Sequence, residues 1–86
     1  MAKYITMHTL ACLTRQGAEE LARRMMAATE VTARRVAVNM LEGKMLAEFE
    51  AASREALEAW LGREGMHFDF VLRIEYEARD GKLEPA

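Results

Sequence analysis

The chain predicts an α+β sandwich, two helices laid on one face of a four-stranded antiparallel sheet. Three observations between Glu42 and Glu77 carry that prediction. A Glu42-Gly43 turn opens into an alternating run, Lys44 to Glu50. A Ser-led helix, Ser53 to Glu64, follows and is stopped by Gly65. A second alternating run, His67 to Glu77, closes the segment. Period-two alternation marks a half-buried strand, and apolar recurrence at three and four residues marks a helix.

The remaining elements come in order. Lys3 to Leu10 is a strand, supported by the β-formers Tyr4, Ile5, Thr6 and Thr9. Arg15 to Ala28 is a helix with Thr14 as N-cap and Ala18, Leu21, Ala22 and Met25 on its apolar face. Glu19–Arg23 and Glu20–Arg24 are i,i+4 pairs in the favoured order. Thr32 to Leu41 is the second strand, and the helix after the third places Ala56, Leu57, Trp60 and Leu61 on one face. The tail, Ala78 to Ala86, is expected to be polar and frayed. The order β-α-β-β-α-β is the ferredoxin-like split βαβ arrangement. It predicts first and third strands that are central and parallel, with the fourth beside the first and the second beside the third.

Parity then assigns faces. A two-residue loop at Glu42-Gly43 sets Met40 opposite Met45, Val38 opposite Ala47 and Val36 opposite Phe49, an apolar face for the core. Arg35 then meets Glu50 across the strands. On the last strand Phe68, Phe70, Leu72 and Ile74 are expected to face the helices, and His67, Asp69, Val71, Arg73 and Glu75 to face away. On the first, Ile5 and Met7 are expected inside, with Tyr4, Thr6, His8 and Leu10 on the open side. The open face so drawn holds His8, Glu48, Glu50, His67, Asp69 and Arg73 as ligand-binding candidates, lined by Leu10, Leu46 and Val71. Glu50–Arg35 and Glu48–Arg73 read as structural ion pairs.

Bulk properties narrow the class. Eighty-six residues make one domain. A net charge of −2 without a basic stripe argues against nucleic-acid binding. No apolar run approaches the roughly 20 residues of a membrane span, which argues against a membrane partner. The single Cys12 excludes an internal disulfide and, with no secretory pattern at the start, points to the cytoplasm. One cysteine where ferredoxin-like metallochaperones carry a CxxC pair also argues against copper transfer. Seven methionines are expected to be pliable core filler rather than a binding surface. The exposed aromatics of an RNA-recognition sheet and the phosphate loop of an acylphosphatase-like enzyme are both missing.

The run Glu48-Phe49-Glu50-Ala51-Ala52-Ser53-Arg54-Glu55-Ala56-Leu57-Glu58-Ala59-Trp60-Leu61 resembles the strand-to-helix junction of the dimeric α/β-barrel superfamily, small ferredoxin-like subunits whose sheets pack face to face. That superfamily includes antibiotic-biosynthesis-type monooxygenases, muconolactone isomerase-like proteins and small nickel-binding-type domains. The resemblance implies a homodimer or higher assembly, covering the open sheet, with a small-molecule ligand between subunits. Whether such a chain is an enzyme, as a cofactor-free monooxygenase or isomerase, stays open. Two alternatives stand beside it. His8 and His67, at facing strand ends, suit nickel or zinc. A third possibility is a structural module whose open face serves only oligomerisation.

Overall fold

The structure, a computed structural model, describes residues 1–11 and 13–86; Cys12 lies outside the described residues. Among the described residues, six strands and two helices follow in the order β1 (Ala2–Thr9), α1 (Arg15–Met26), β2 (Thr32–Asn39), β3 (Lys44–Ala51), α2 (Arg54–Arg63), β4 (Phe70–Ile74), β5 (Tyr76–Arg79) and β6 (Lys82–Pro85). The first four strands form one sheet in the order β2-β3-β1-β4. This is the ferredoxin-like arrangement, with β1 and β3 central. The two central strands run antiparallel, not parallel as expected. Each βαβ crossover skips a strand, so the neighbour in the gap comes from the other half and runs the opposite way.

Both helices start on a side-chain cap. Thr14 Oγ1 accepts from the Gly17 amide at 3.1 Å, and Ser53 Oγ from the Ala56 amide at 3.0 Å. Each cap satisfies one of the amides that a helix start leaves without a partner. Gly65, at φ 69°, turns the chain out of α2 in a conformation that a side chain would strain. Ala18 and Met25 of α1 and Leu57, Trp60 and Leu61 of α2 are buried against Tyr4, Met45, Ala47, Phe49, Ala51 and Val71 of the sheet. Trp60 tilts against Phe49 with ring centroids 6.0 Å apart. The apolar helix faces thus agree with their sequence periodicity. Among the described residues neither expected i,i+4 pair forms: Arg15 meets Glu19, Arg23 meets Glu20, and Arg24 ties α1 to Glu64 beyond α2.

The β2–β3 hairpin keeps its predicted faces but slips by two residues. Asn39 lies opposite Lys44, Val38 opposite Met45, Val36 opposite Ala47 and Arg35 opposite Glu48. The loop is therefore 40–43, held by the Asn39 side chain, whose Oδ1 accepts from the Glu42 backbone amide and whose Nδ2 donates to the Glu42 carboxylate. A two-residue slip returns every side chain to the same side, so the alternation alone does not separate the two registers. A bulge between Ala33 and Arg35 sends Arg34, not Arg35, to Glu50.

The tail is ordered, contrary to expectation. β5 and β6 pair through Asp80-Gly81, at φ 52° and 77°. Two successive positive φ values are what a two-residue hairpin turn needs, and Asp-Gly supplies them cheaply. We expect Ser53→Ala to lower unfolding stability by about 1 kcal/mol in denaturant titration, through loss of the α2 cap.

Candidate functional site

The phase of β1 is opposite to the expected one. Tyr4, Thr6, His8 and Leu10 are buried toward the helices, and Lys3, Ile5, Met7 and Thr9 point to the open side. Pairing extends this assignment across the sheet. Ile5 lies between Glu48 and Leu72, Met7 between Leu46 and Phe70, and Lys3 between Glu50 and Ile74. β4 is also out of phase with the prediction: Val71 is buried, whereas Phe70 and Leu72 are exposed, Leu72 by 56%. Phe68 does pack inward, but from the loop preceding β4. That irregular segment places Phe68 and Val71 on the same side although they are three residues apart, and so breaks the parity counted from Phe68.

The candidate residues therefore separate. Glu48 and Glu50 lie on the open face as predicted. Arg73, opposite Tyr4, belongs to the other face and lines a cleft with Ser53 and Arg54 at the start of α2, so the Glu48–Arg73 pair does not form. Leu10 and Val71 are core residues rather than open-face lining, and only Leu46 keeps its predicted place. Asp69 sits at the far end, where its carboxylate accepts from Thr9 Oγ1 at 2.9 Å and from Lys44 Nζ at 3.0 Å. It is roughly 20 Å along the strands from Glu50. Those two donors, the Lys44 bond first, hold the Asp69 carboxyl below its usual range.

The histidines do not converge as a ligand pair. His8 is 1% exposed. Its Nδ1 lies 2.7 Å from the His67 carbonyl oxygen, and its Nε2 2.7 Å from Thr6 Oγ1. A carbonyl only accepts, so Nδ1 carries the proton and Nε2 accepts from the Thr6 hydroxyl. Both nitrogens of a neutral ring are spent, and neither is free for a metal. His67 contributes its backbone, while its side chain is exposed. Among the described residues no group of three or more His, Cys, Asp and Glu side chains is placed to hold a metal ion. Burial pushes the His8 pKa below its ordinary value, against the opposing pull of the His67 carbonyl and the Asp69 charge. His8 is a neutral internal latch joining β1 to the loop that starts β4.

The surface that remains has two parts. One is an apolar stripe along β1 and β4, made of Ile5, Met7, Phe70, Leu72 and Ile74 and widened by Leu46. The other is a mixed-charge cleft of about 210 Å³ lined by Lys3, Arg34, Glu48, Glu50, Ile74 and Glu77. Within it Arg34 pairs with Glu50 and Lys3 with Glu77 at 3.5 Å, while Arg35 approaches Glu48 at 3.8 Å from the edge. The Arg34 hydrogen bond is the main reason the Glu50 carboxyl lies below its usual range. Sequence parity missed Lys3, Ile5, Met7, Arg34, Phe70 and Leu72. A signal for part of this set was present: Lys3 and Thr9 share parity with Ile5 and Met7, and a charged residue at a strand end marks the solvent side.

His8→Leu should lower stability by about 1–3 kcal/mol, because Thr6 and the His67 carbonyl lose their partner. The pH dependence has a definite sign. With its folded pKa lowered, His8 resists protonation while the unfolded chain takes up a proton. Wild-type stability should then hold above about pH 6.5 and fall below it until the folded ring itself protonates. His8→Leu should flatten that decline in denaturant titrations taken between about pH 7 and 5; an unchanged slope would contradict the latch.

Among the described residues no helix is long and apolar enough to cross a membrane. Compared with protein-family models, with curated proteins and with solved structures, the chain matches none.

Proposed function

We propose that the chain works as a homodimeric small-molecule-binding protein, its two open sheet faces packed together and the mixed-charge cleft serving as the ligand site. The uncovered apolar stripe carries the proposal. Phe70 and Leu72 are exposed and Ile5, Met7, Ile74 and Leu46 beside them half-buried, one apolar patch on the open side of the sheet. Soluble monomers rarely leave such a patch open, and an antiparallel sheet with one apolar uncovered face asks for a second layer. A second copy supplies one through a two-fold axis, since each copy presents the same stripe. This arrangement agrees with the resemblance of the Glu48–Leu61 run to dimeric α/β-barrel proteins.

The cleft supports the ligand half. It adjoins the stripe at Ile74 and sets cations and carboxylates within one recess. Those groups favour a small molecule that carries charge of both signs, with the apolar stripe excluding water from one side. Nickel or zinc binding through His8 and His67 has no support in the donor geometry. The purely structural alternative shares the dimer and lacks only the ligand.

Light scattering should find a dimer at micromolar concentration, and Leu72→Lys, at an exposed position, should yield a folded monomer. A wild-type monomer at that concentration would refute the dimer. For the ligand half, a thermal-shift screen of small zwitterions should find a compound whose stabilisation is lost in Lys3→Gln and Glu50→Gln. A uniformly negative screen favours the assembly module.

A further inference from the structure

The geometry points to a second binding site, for the carboxylate of a small molecule, in the recess between the start of α2 and the paired strands β1 and β4. Arg73 and Tyr4 are its side-chain donors. The site lies on the helix side of the sheet, apart from the open-face cleft and independent of the proposed dimer.

Local features of the fold make the recess. Ala2 lies opposite Ala51, so β3 hands the chain to α2 beside the first residue of β1. Tyr4 lies directly opposite Arg73, and such cross-strand pairs bring Cβ atoms to about 5 Å on one face. The recess, of about 330 Å³, is lined by Tyr4 and Arg73 from the sheet and by Ser53, Arg54 and Glu55 from the helix start. Ala2 and Ala52 complete it, and their small side chains leave the room. That volume falls in the range of small-molecule sites.

Arg73 stands without a counterion. Among the described residues each of the other eight arginines has a carboxylate within ion-pair distance, and Arg73 has none. Glu48, its expected partner, is on the opposite side of the sheet. Glu55 shares the recess but forms no ion pair with Arg73. A guanidinium with no acid against it keeps its planar fork of donors for a carboxylate from outside.

Tyr4 marks the same space independently. It is 2% exposed. A buried tyrosine hydroxyl ordinarily finds a partner. This one makes no hydrogen bond among the described residues, although no side-chain oxygen sealed from solvent lacks a partner. The hydroxyl therefore meets accessible space. Its ring is on the helix side, and the space Tyr4 lines there is this recess. The open-face cleft touches Tyr4 only from the other side of the sheet.

The helix start supplies further donors. The Ala56 amide bonds to Ser53 Oγ and the Leu57 amide to the Ser53 carbonyl. The Arg54 and Glu55 amides have no acceptor among the described residues, and the positive end of the helix dipole favours an anion there. The Arg54 guanidinium itself is held by Glu58 at 3.0 Å. One unpaired cation, offset in part by Glu55, matches a single carboxylate better than a doubly charged phosphate. A carboxylate has about four lone-pair sites, enough for the fork, the hydroxyl and a helix amide.

The test follows amide signals of the isotope-labelled full chain, with sodium acetate as probe and sodium chloride at equal ionic strength as control. Acetate should shift the Arg54 and Glu55 amides saturably, and chloride should not. Arg73→Gln should raise the acetate Kd at least roughly tenfold, the worth of a charge-assisted bond. Tyr4→Phe should raise it about threefold or more. Its denaturant midpoint without acetate should stay unchanged, since the hydroxyl has no bond in the fold to lose. A lowered midpoint with an unchanged Kd is the pattern of a structural tyrosine and overturns the site. So do shifts that chloride reproduces, or a Kd unaltered in either variant. Tighter binding of inorganic phosphate than of acetate at the same amides overturns the assignment to a carboxylate.

Discussion

The hydrogen-bonded chain from Thr6 through His8 to the His67 carbonyl sets what the rest of the molecule can present. A buried imidazole must satisfy both nitrogens, and here a hydroxyl two residues earlier and a backbone carbonyl 59 residues later do so. Two consequences follow. The even-numbered side chains of β1 are committed to the interior, which sends Ile5 and Met7 outward. The loop before β4 is pinned to β1, so β4 begins at Phe70 with Val71 inside and Phe70 and Leu72 outside. One internal polar contact thus accompanies an apolar surface on the opposite side of the same two strands.

That trade is unusual for a small domain. A chain of this size has little core to spare, yet it buries Thr6 and His8 and exposes Phe70 and Leu72. The exchange becomes understandable if the exposed residues acquire their cover by association. Burial deferred to assembly adds stability that depends on concentration, and couples the fold to its oligomeric state. The charged residues follow the same division. Those on β2 and β3 pair with one another around the cleft, and those near Asp69 clamp the opposite end of the sheet, leaving the middle of the stripe, from Ile5 to Met7 and from Phe70 to Leu72, uncharged on the open side.

How far the sequence reached can be judged residue by residue. The two caps at Thr14 and Ser53, the helix faces, and the inward set Met45, Ala47 and Phe49 were legible because each depends on local spacing. The Asp80-Gly81 turn was equally local and was overlooked, since the polarity of the flanking residues outweighed a strong hairpin dipeptide. His8 was misplaced because a histidine and a threonine look like surface residues until their partners are known, and one partner is a backbone carbonyl, which no side-chain pattern reveals. Arg73 followed its strand when the phase of β4 changed.

Local spacing was enough to give the order of the first four strands and the two helices and the alternation within each strand, because these are set by contacts within a few residues; it did not give the short β4 or the β5–β6 hairpin. Tertiary structure alone decided which side of β1 and β4 faces the helices. In β1 both sides are amphipathic enough to serve, Tyr4, Thr6, His8 and Leu10 on one and Ile5 and Met7 on the other, so local hydropathy is nearly degenerate. The degeneracy is lifted only when β3 and β4 pair with β1 and the His67 carbonyl arrives to satisfy His8, a contact between residues far apart in sequence.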